Sequence, residues 1–128
     1  MDKVEQRLDS LCSGIIESDN SIRFVGISNK MGNLIISRYR KGLIPLLTPE
    51  ETEKLALESV LRMKTRKDFE SKLGRPIYSF TIYQRVKRVT IALENMEYPI
   101  LMASFDKQAD HENIIVNKIL PMVNEEGL

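Results

Sequence analysis

Hydrophobic positions along the chain change period in a fixed order, which predicts helix, two strands, a long helix, three strands and a final helix. Val4, Leu8, Leu11, Ile15 and Ile16 recur at spacings of three and four, the stripe of an amphipathic helix ending in the polar stretch from Glu17 to Asn20. Arg23 to Ser28 has the β-branched and aromatic content of a strand. Leu34 to Arg38 supplies its hairpin neighbour after a turn built from Asn29, Lys30, Met31, Gly32 and Asn33. Gly26 interrupts the first of these strands, where a missing side chain admits close approach; a helix crossing the sheet is the expected neighbour, a ligand the alternative.

Thr48-Pro49-Glu50-Glu51 is a helix start. Thr48 can accept from the backbone N–H of Glu51, Glu51 can reach back to complete a capping box, and Pro49 suits the first helical position. Ala56, Val60 and Met63, with Leu57 and Leu61, predict the buried face. Phe69 and Leu73 extend it until Gly74, Arg75 and Pro76 stop the helix. In the next segment Tyr78, Phe80 and Ile82 alternate with Ser79, Thr81 and Tyr83, and Val89, Ile91 and Leu93 alternate with Arg88, Thr90 and Ala92. Each pattern fits a strand with one covered and one more polar face. Tyr98 to Phe105 is more continuously apolar and suits the middle of a sheet. Asp110 then caps a last helix with Ile115, Ile119 and Met122 or Val123 inward, and Pro121 bends or ends it.

Composition fits one domain over residues 1–128: an apolar fraction of 42% supports a core without metal or disulfide. No apolar run approaches the roughly 18 residues that span a bilayer, and the charged N-terminus lacks the pattern of a secretory signal, so a cytoplasmic protein is expected. Cys12 is the single cysteine, excluding an internal disulfide, and its place on the apolar stripe predicts a buried hydrophobe rather than a reactive thiol.

The residues that carry chemistry are sparse. His111 is the sole histidine, beside Asp110 and Glu112, and reads as a solvated first-turn residue; with no second histidine and one cysteine, no metal site is expected. No serine motif accompanies it, the glycines are too scattered for a phosphate loop, and Asp68 and Glu70 point in different directions on their helix. No catalytic residues, cofactor or metal are assigned, and an enzyme is not expected.

Charge is distributed less evenly than the net +1 suggests. Between Arg62 and Arg88 nine basic residues face two acidic ones, while the compensating acid lies elsewhere. This run is either a solvated surface or a docking surface, for which the candidates are Arg62, Lys64, Arg66, Lys67, Arg85, Lys87 and Arg88. An acidic protein or an anionic membrane could meet such a surface. Nucleic acid is disfavoured because no aromatic residue is clearly interleaved with the bases.

The element order resembles that of the roadblock and dynein light chain domains, within the wider profilin-like group. A finer resemblance, to a set of short archaeal proteins without established activity, lies in Ile22-Arg23-Phe24-Val25-Gly26-Ile27, Gly32, Pro45-Leu46, the run from Arg62 to Phe69, and Leu73-Gly74. The resemblance implies an α+β fold: an antiparallel five-stranded sheet with helices on both faces, in the order α-β-β-α-β-β-β-α. It further implies a non-catalytic interaction, scaffold or regulatory module that forms a homodimer and docks to an acidic partner such as a small GTPase or its regulator. Leu55, Leu57, Leu61 and Met63 are the candidate dimer interface, since they cover more of the long helix than one narrow stripe needs. The alternative is a sensory domain of the PAS-like or profilin-like type, with a small ligand between sheet and helix. A deep cavity with converging polar groups would favour the sensor; a filled core with an exposed apolar edge would favour the module.

Overall fold

A computed structural model describes residues 2–128. Helix α1 (Lys3–Ser18) starts at Asp2, whose carboxylate accepts the Glu5 N–H at 2.8 Å. Strands β1 (Ile22–Ser28) and β2 (Leu34–Tyr39) form the expected hairpin. Its turn is held by the Asn29 side chain, which accepts the N–H groups of Met31 and Asn33, both at 3.0 Å. Helix α2 (Pro49–Lys67) opens with the capping box: Thr48 Oγ1 accepts from Glu51 N–H at 3.2 Å, and Thr48 N–H donates to the Glu51 carboxylate at 2.8 Å. A short α3 (Glu70–Leu73) leads to β3 (Tyr78–Ile82), β4 (Val86–Ala92) and β5 (Ile100–Asp106). The chain closes with α4 (His111–Ile114), a π-helical turn (Ile115–Ile119) and α5 (Leu120–Glu125).

All strand pairs are antiparallel in the order β2-β1-β5-β4-β3, so the continuously apolar β5 is the middle strand and β3 is an edge. Strand alternation divides the core in two. Val25, Ile27, Val89, Ile91, Leu101 and Phe105 face α1 and the C-terminal helices, where Leu8, Ile15, Ile115 and Ile119 complete the larger cluster. Phe24, Ala92, Ile100 and Met102 face α2, which meets them with only Ala56, Val60 and Met63. Side chains on the first face are numerous enough to fill their layer; the second face is thinly covered. Cys12 is fully buried, and burial pushes its thiol pKa up to about 12, so it behaves as a small hydrophobe.

Three expectations are corrected. The long helix ends at Lys67, not Leu73: its sheet-facing stripe stops at Met63, and Phe69 and Leu73, though at helical spacing, lie 54% and 82% exposed. Leu57 and Leu61 likewise point away from the core. Periodicity alone cannot show where the opposing layer ends. The close approach at Gly26 is made within the sheet, not by a helix. A Cβ there would lie 2.8 Å from the Phe24 ring and 3.0 Å from a Leu34 methyl. The last helix does absorb Pro121, through the π turn before it: Leu120 N–H donates to Ile115 carbonyl, five residues back, loosening the turn into which the proline ring must fit.

Candidate functional site

Helix α2 does not sit centrally over its face of the sheet. On one flank Leu57 rests on the β1–β2 turn, where a Cβ on Gly32 would come within 2.8 Å of the Leu57 Cα, and Glu53 reaches the Leu34 N–H at 3.5 Å. On the opposite flank Leu55, Ser59, Arg62 and Arg66 look across a cleft to Ser79 and Thr81 of β3, Tyr83 of the following turn, and Arg88 and Thr90 of β4. Towards the start of α2 this cleft opens into a cavity of about 910 Å³. The cavity lies among β1, the loop after β2, α2 and the β3–β4 turn; Leu55, Glu58, Tyr83 and Arg88 belong to both spaces.

Its walls follow from local chemistry. Phe24 forms the apolar floor, with the Tyr39 ring tilted against it at a centroid distance of 5.0 Å. A register shift between Ile22 and Phe24 breaks strict alternation in β1, so Arg23 joins Phe24 among the lining residues. The loop wall, Leu43, Pro45, Leu46 and Leu47, is tethered at its root by Arg40, which donates to Asp106 at 2.7 and 3.2 Å and to the Asn20 carbonyl at 2.7 Å. Arg23 also donates to Asp106, at 3.2 Å. These guanidinium bonds hold the Asp106 carboxyl below its ordinary range.

The charges around the cavity divide into committed and uncommitted groups. Arg23 is paired with Asp106, Glu51 is engaged in the helix cap, and Glu58 is paired with Arg62. Lys54 and Arg85 have no ion pair among the described residues. Arg88 is half-buried, and among the described residues its guanidinium donates only to the Met102 sulfur, at 4.0 Å. Burial with no carboxylate beside it lowers the Arg88 pKa from the ordinary arginine value.

The seven candidate docking residues are therefore not one surface. Arg62, Arg66 and Arg88 meet across the cleft and Arg85 stands at the cavity rim. Lys64 projects from the Leu57 flank of α2, and Lys67 lies near the helix's last turn. Lys87, one residue from Arg88, faces the other side of the sheet: its ammonium donates to the Ala109 carbonyl at 2.8 Å and contacts His111 Nδ1 at 3.0 Å. As an ammonium can only donate, Nδ1 is the acceptor there and the ring proton sits on Nε2. His111 is no solvated residue: it stacks on Phe80 with centroids 4.2 Å apart. The four candidate interface residues also separate. Met63 is 2% exposed and belongs to the core, Leu55 lines the cleft, and Leu57 and Leu61 lie on the opposite flank.

Tyr39 and Lys54 were not singled out by the sequence, and the 40–47 loop figures there only for the resemblance at Pro45-Leu46, not as the wall of a site. A signal for Arg88 was present: an arginine on the face of β4 that α2 has to cover is out of place in a plain core. Among the described residues no cluster of His, Cys, Asp and Glu is placed to hold a metal, and no helix is long and apolar enough to cross a membrane.

A five-stranded antiparallel sheet in this order, with the long helix on one face and the terminal helices on the other, is the roadblock/LC7 fold. No family model matches the chain, and no curated protein matches it by sequence. Solved structures do. A roadblock/LC7 domain from Streptomyces avermitilis superposes with a TM-score of 0.69 at 11% identity, covering 91% of this chain and 92% of that one. Myxococcus xanthus MglB gives 0.72 at 14% identity, over 98% and 88%. An MglB in a tetrameric arrangement gives 0.71 at 13%, over 98% and 94%. At such identities the likeness establishes the fold.

Proposed function

We propose that the chain is a non-catalytic interaction module of the roadblock type, one cytoplasmic domain over residues 1–128 that homodimerises and presents a second surface to an acidic protein, a small GTPase or its regulator. The observation that carries this reading is the open β3 edge: Ile77, Tyr78 and Ile82 are 56%, 38% and 56% exposed beside a row of unpaired backbone groups. The tetrameric arrangement of a structural neighbour supports it. Because Leu57 and Leu61 lie on the flank of α2 away from β3, one two-fold contact uses either the edge or that patch. We assign the edge, with Leu55, to the homodimer, and Leu57 and Leu61, with Lys64, to the partner. The resemblance to short archaeal proteins belongs to this reading as its sequence-level counterpart.

Sedimentation at micromolar concentration tests it. A dimer that Ile82→Lys dissociates and Leu57→Glu leaves intact is expected. A monomer of 14.7 kDa throughout, or a dimer broken only by Leu57→Glu, overturns the assignment.

The cavity beside α2 favours a second reading, a sensory domain. Its volume of about 910 Å³ lies in the range of small-molecule sites, and polar groups converge on it from α2, from strands β1, β2, β4 and β5 and from the β3–β4 turn.

A further inference from the structure

The cavity beside α2 has walls of one character and uncommitted charges of one sign. Phe24, Leu46, Leu55 and Val86 supply apolar surface. The two carboxylates at its margin, Glu51 and Glu58, are already engaged by the helix cap and by Arg62. Lys54, Arg85 and Arg88 remain without carboxylates, and Arg88 is the deepest of them, against Met102 and at the junction of cavity and cleft. A half-buried guanidinium whose hydrogen-bond partner is a thioether sulfur, with the Tyr39 and Tyr83 rings near it, gives up hydration that no carboxylate replaces. Its planar fork is suited to two oxygens of one anion. The hydroxyls of Tyr39, Tyr83 and Ser104 line the same space and can serve the remaining lone pairs of such an anion.

We propose that this cavity binds a small organic anion, with a carboxylate or phosphate head on the Arg88 guanidinium and an apolar body against Phe24, Leu46 and Val86. The inference rests on the sensory reading in needing an accessible cavity, and it adds the charge and the amphipathic character of the ligand. Arg85 and Lys54 at the rim attract the anion, while Arg88 orients it. Burial already opposes the charged form of Arg88, and an arriving anion relieves that opposition.

Calorimetric titration of the full chain with octanoate, octyl phosphate and uncharged 1-octanol tests this. We expect saturable binding at one site per chain, with Kd below about 1 mM for at least one of the two anions. That affinity should fall about tenfold or more in Arg88→Met and less in Arg88→Lys. The anion that binds tighter identifies the head group. Should Arg88→Met fail to fold, the double variant Lys54→Gln/Arg85→Gln, at exposed positions, decides through a smaller loss and a flatter salt dependence. Equal binding of 1-octanol overturns the anion proposal while leaving a ligand cavity. Absence of saturable binding by all three probes overturns both. Anion affinity unchanged in every variant that folds overturns the role of Arg88 and its neighbours.

Discussion

Replacing Gly32 by alanine should cost far more than the same change at Gly42, and the difference measures how firmly α2 is seated. Both glycines have left-handed backbones, φ +85° and +79°. A side chain at either therefore incurs the same conformational strain of about 1 kcal/mol. They differ in surroundings. A Cβ on Gly42 meets nothing within 4 Å, whereas one on Gly32 would stand 2.7 Å from Leu57 Cδ1 and 2.8 Å from Leu57 Cα. The methyl group could be avoided by a rotamer change, but the Cα can retreat only if the helix moves. Forced overpacking of this kind costs about 1–3 kcal/mol beyond the strain. For a chain of this length each kcal/mol shifts the melting midpoint by about 4 °C. Gly42→Ala should thus lower it by about 4 °C and Gly32→Ala by about 8–16 °C, read by thermal melts followed by circular dichroism. Equal shifts would refute the reasoning: α2 would not be pinned to the β1–β2 turn, and the width of the cleft on its other flank would not be fixed by that contact.

Two further outcomes are expected. Gly26→Val should destabilise by about 1–3 kcal/mol, since Phe24 and Leu34 must both give way and the Ile36 carbonyl, 3.3 Å from the new Cβ, cannot; an unchanged urea midpoint would show that the sheet face has slack there. At acid pH the ion-paired carboxylates matter. Bonds from Ser21 and Lys118 lower the Asp19 pKa to about 2, so its contribution is present above the unfolded value near 4 and is lost as pH falls through 2. Asp9, beside Arg38, and Asp106 shift in the same direction. Wild type should therefore lose about 1 kcal/mol more than Asp19→Asn between pH 5 and pH 2, the loss kept small by solvent screening; parallel stability curves would remove Asp19 from the account.

The sequence by itself determined the elements whose signals are local. The period of three and four in α1, the capping box at Thr48 and the alternation of β3 and β4 depend on near neighbours in the chain, and the elements are found there, though Val4 at the head of the α1 stripe is exposed and Leu93 falls just past the end of β4. The unbroken apolar run of β5 identified the middle strand for the same reason, because only a strand covered on both faces tolerates it. Tertiary structure decided what lies opposite each face. Phe69, Leu73 and Leu61 have the spacing of buried residues but no layer against them, Leu57 meets only the β1–β2 turn, and the neighbours of Gly26 come from its own sheet. The basic run was legible as composition and not as a surface. Lys87 and Arg88 are adjacent in the chain, yet strand geometry sends one ammonium to Ala109 and His111 beside the C-terminal helix and the other guanidinium beneath α2. Only the offset of α2 toward the β1–β2 turn leaves that guanidinium with an open cavity in place of a carboxylate. The offset arises from contacts between residues far apart in sequence, which no local pattern encodes.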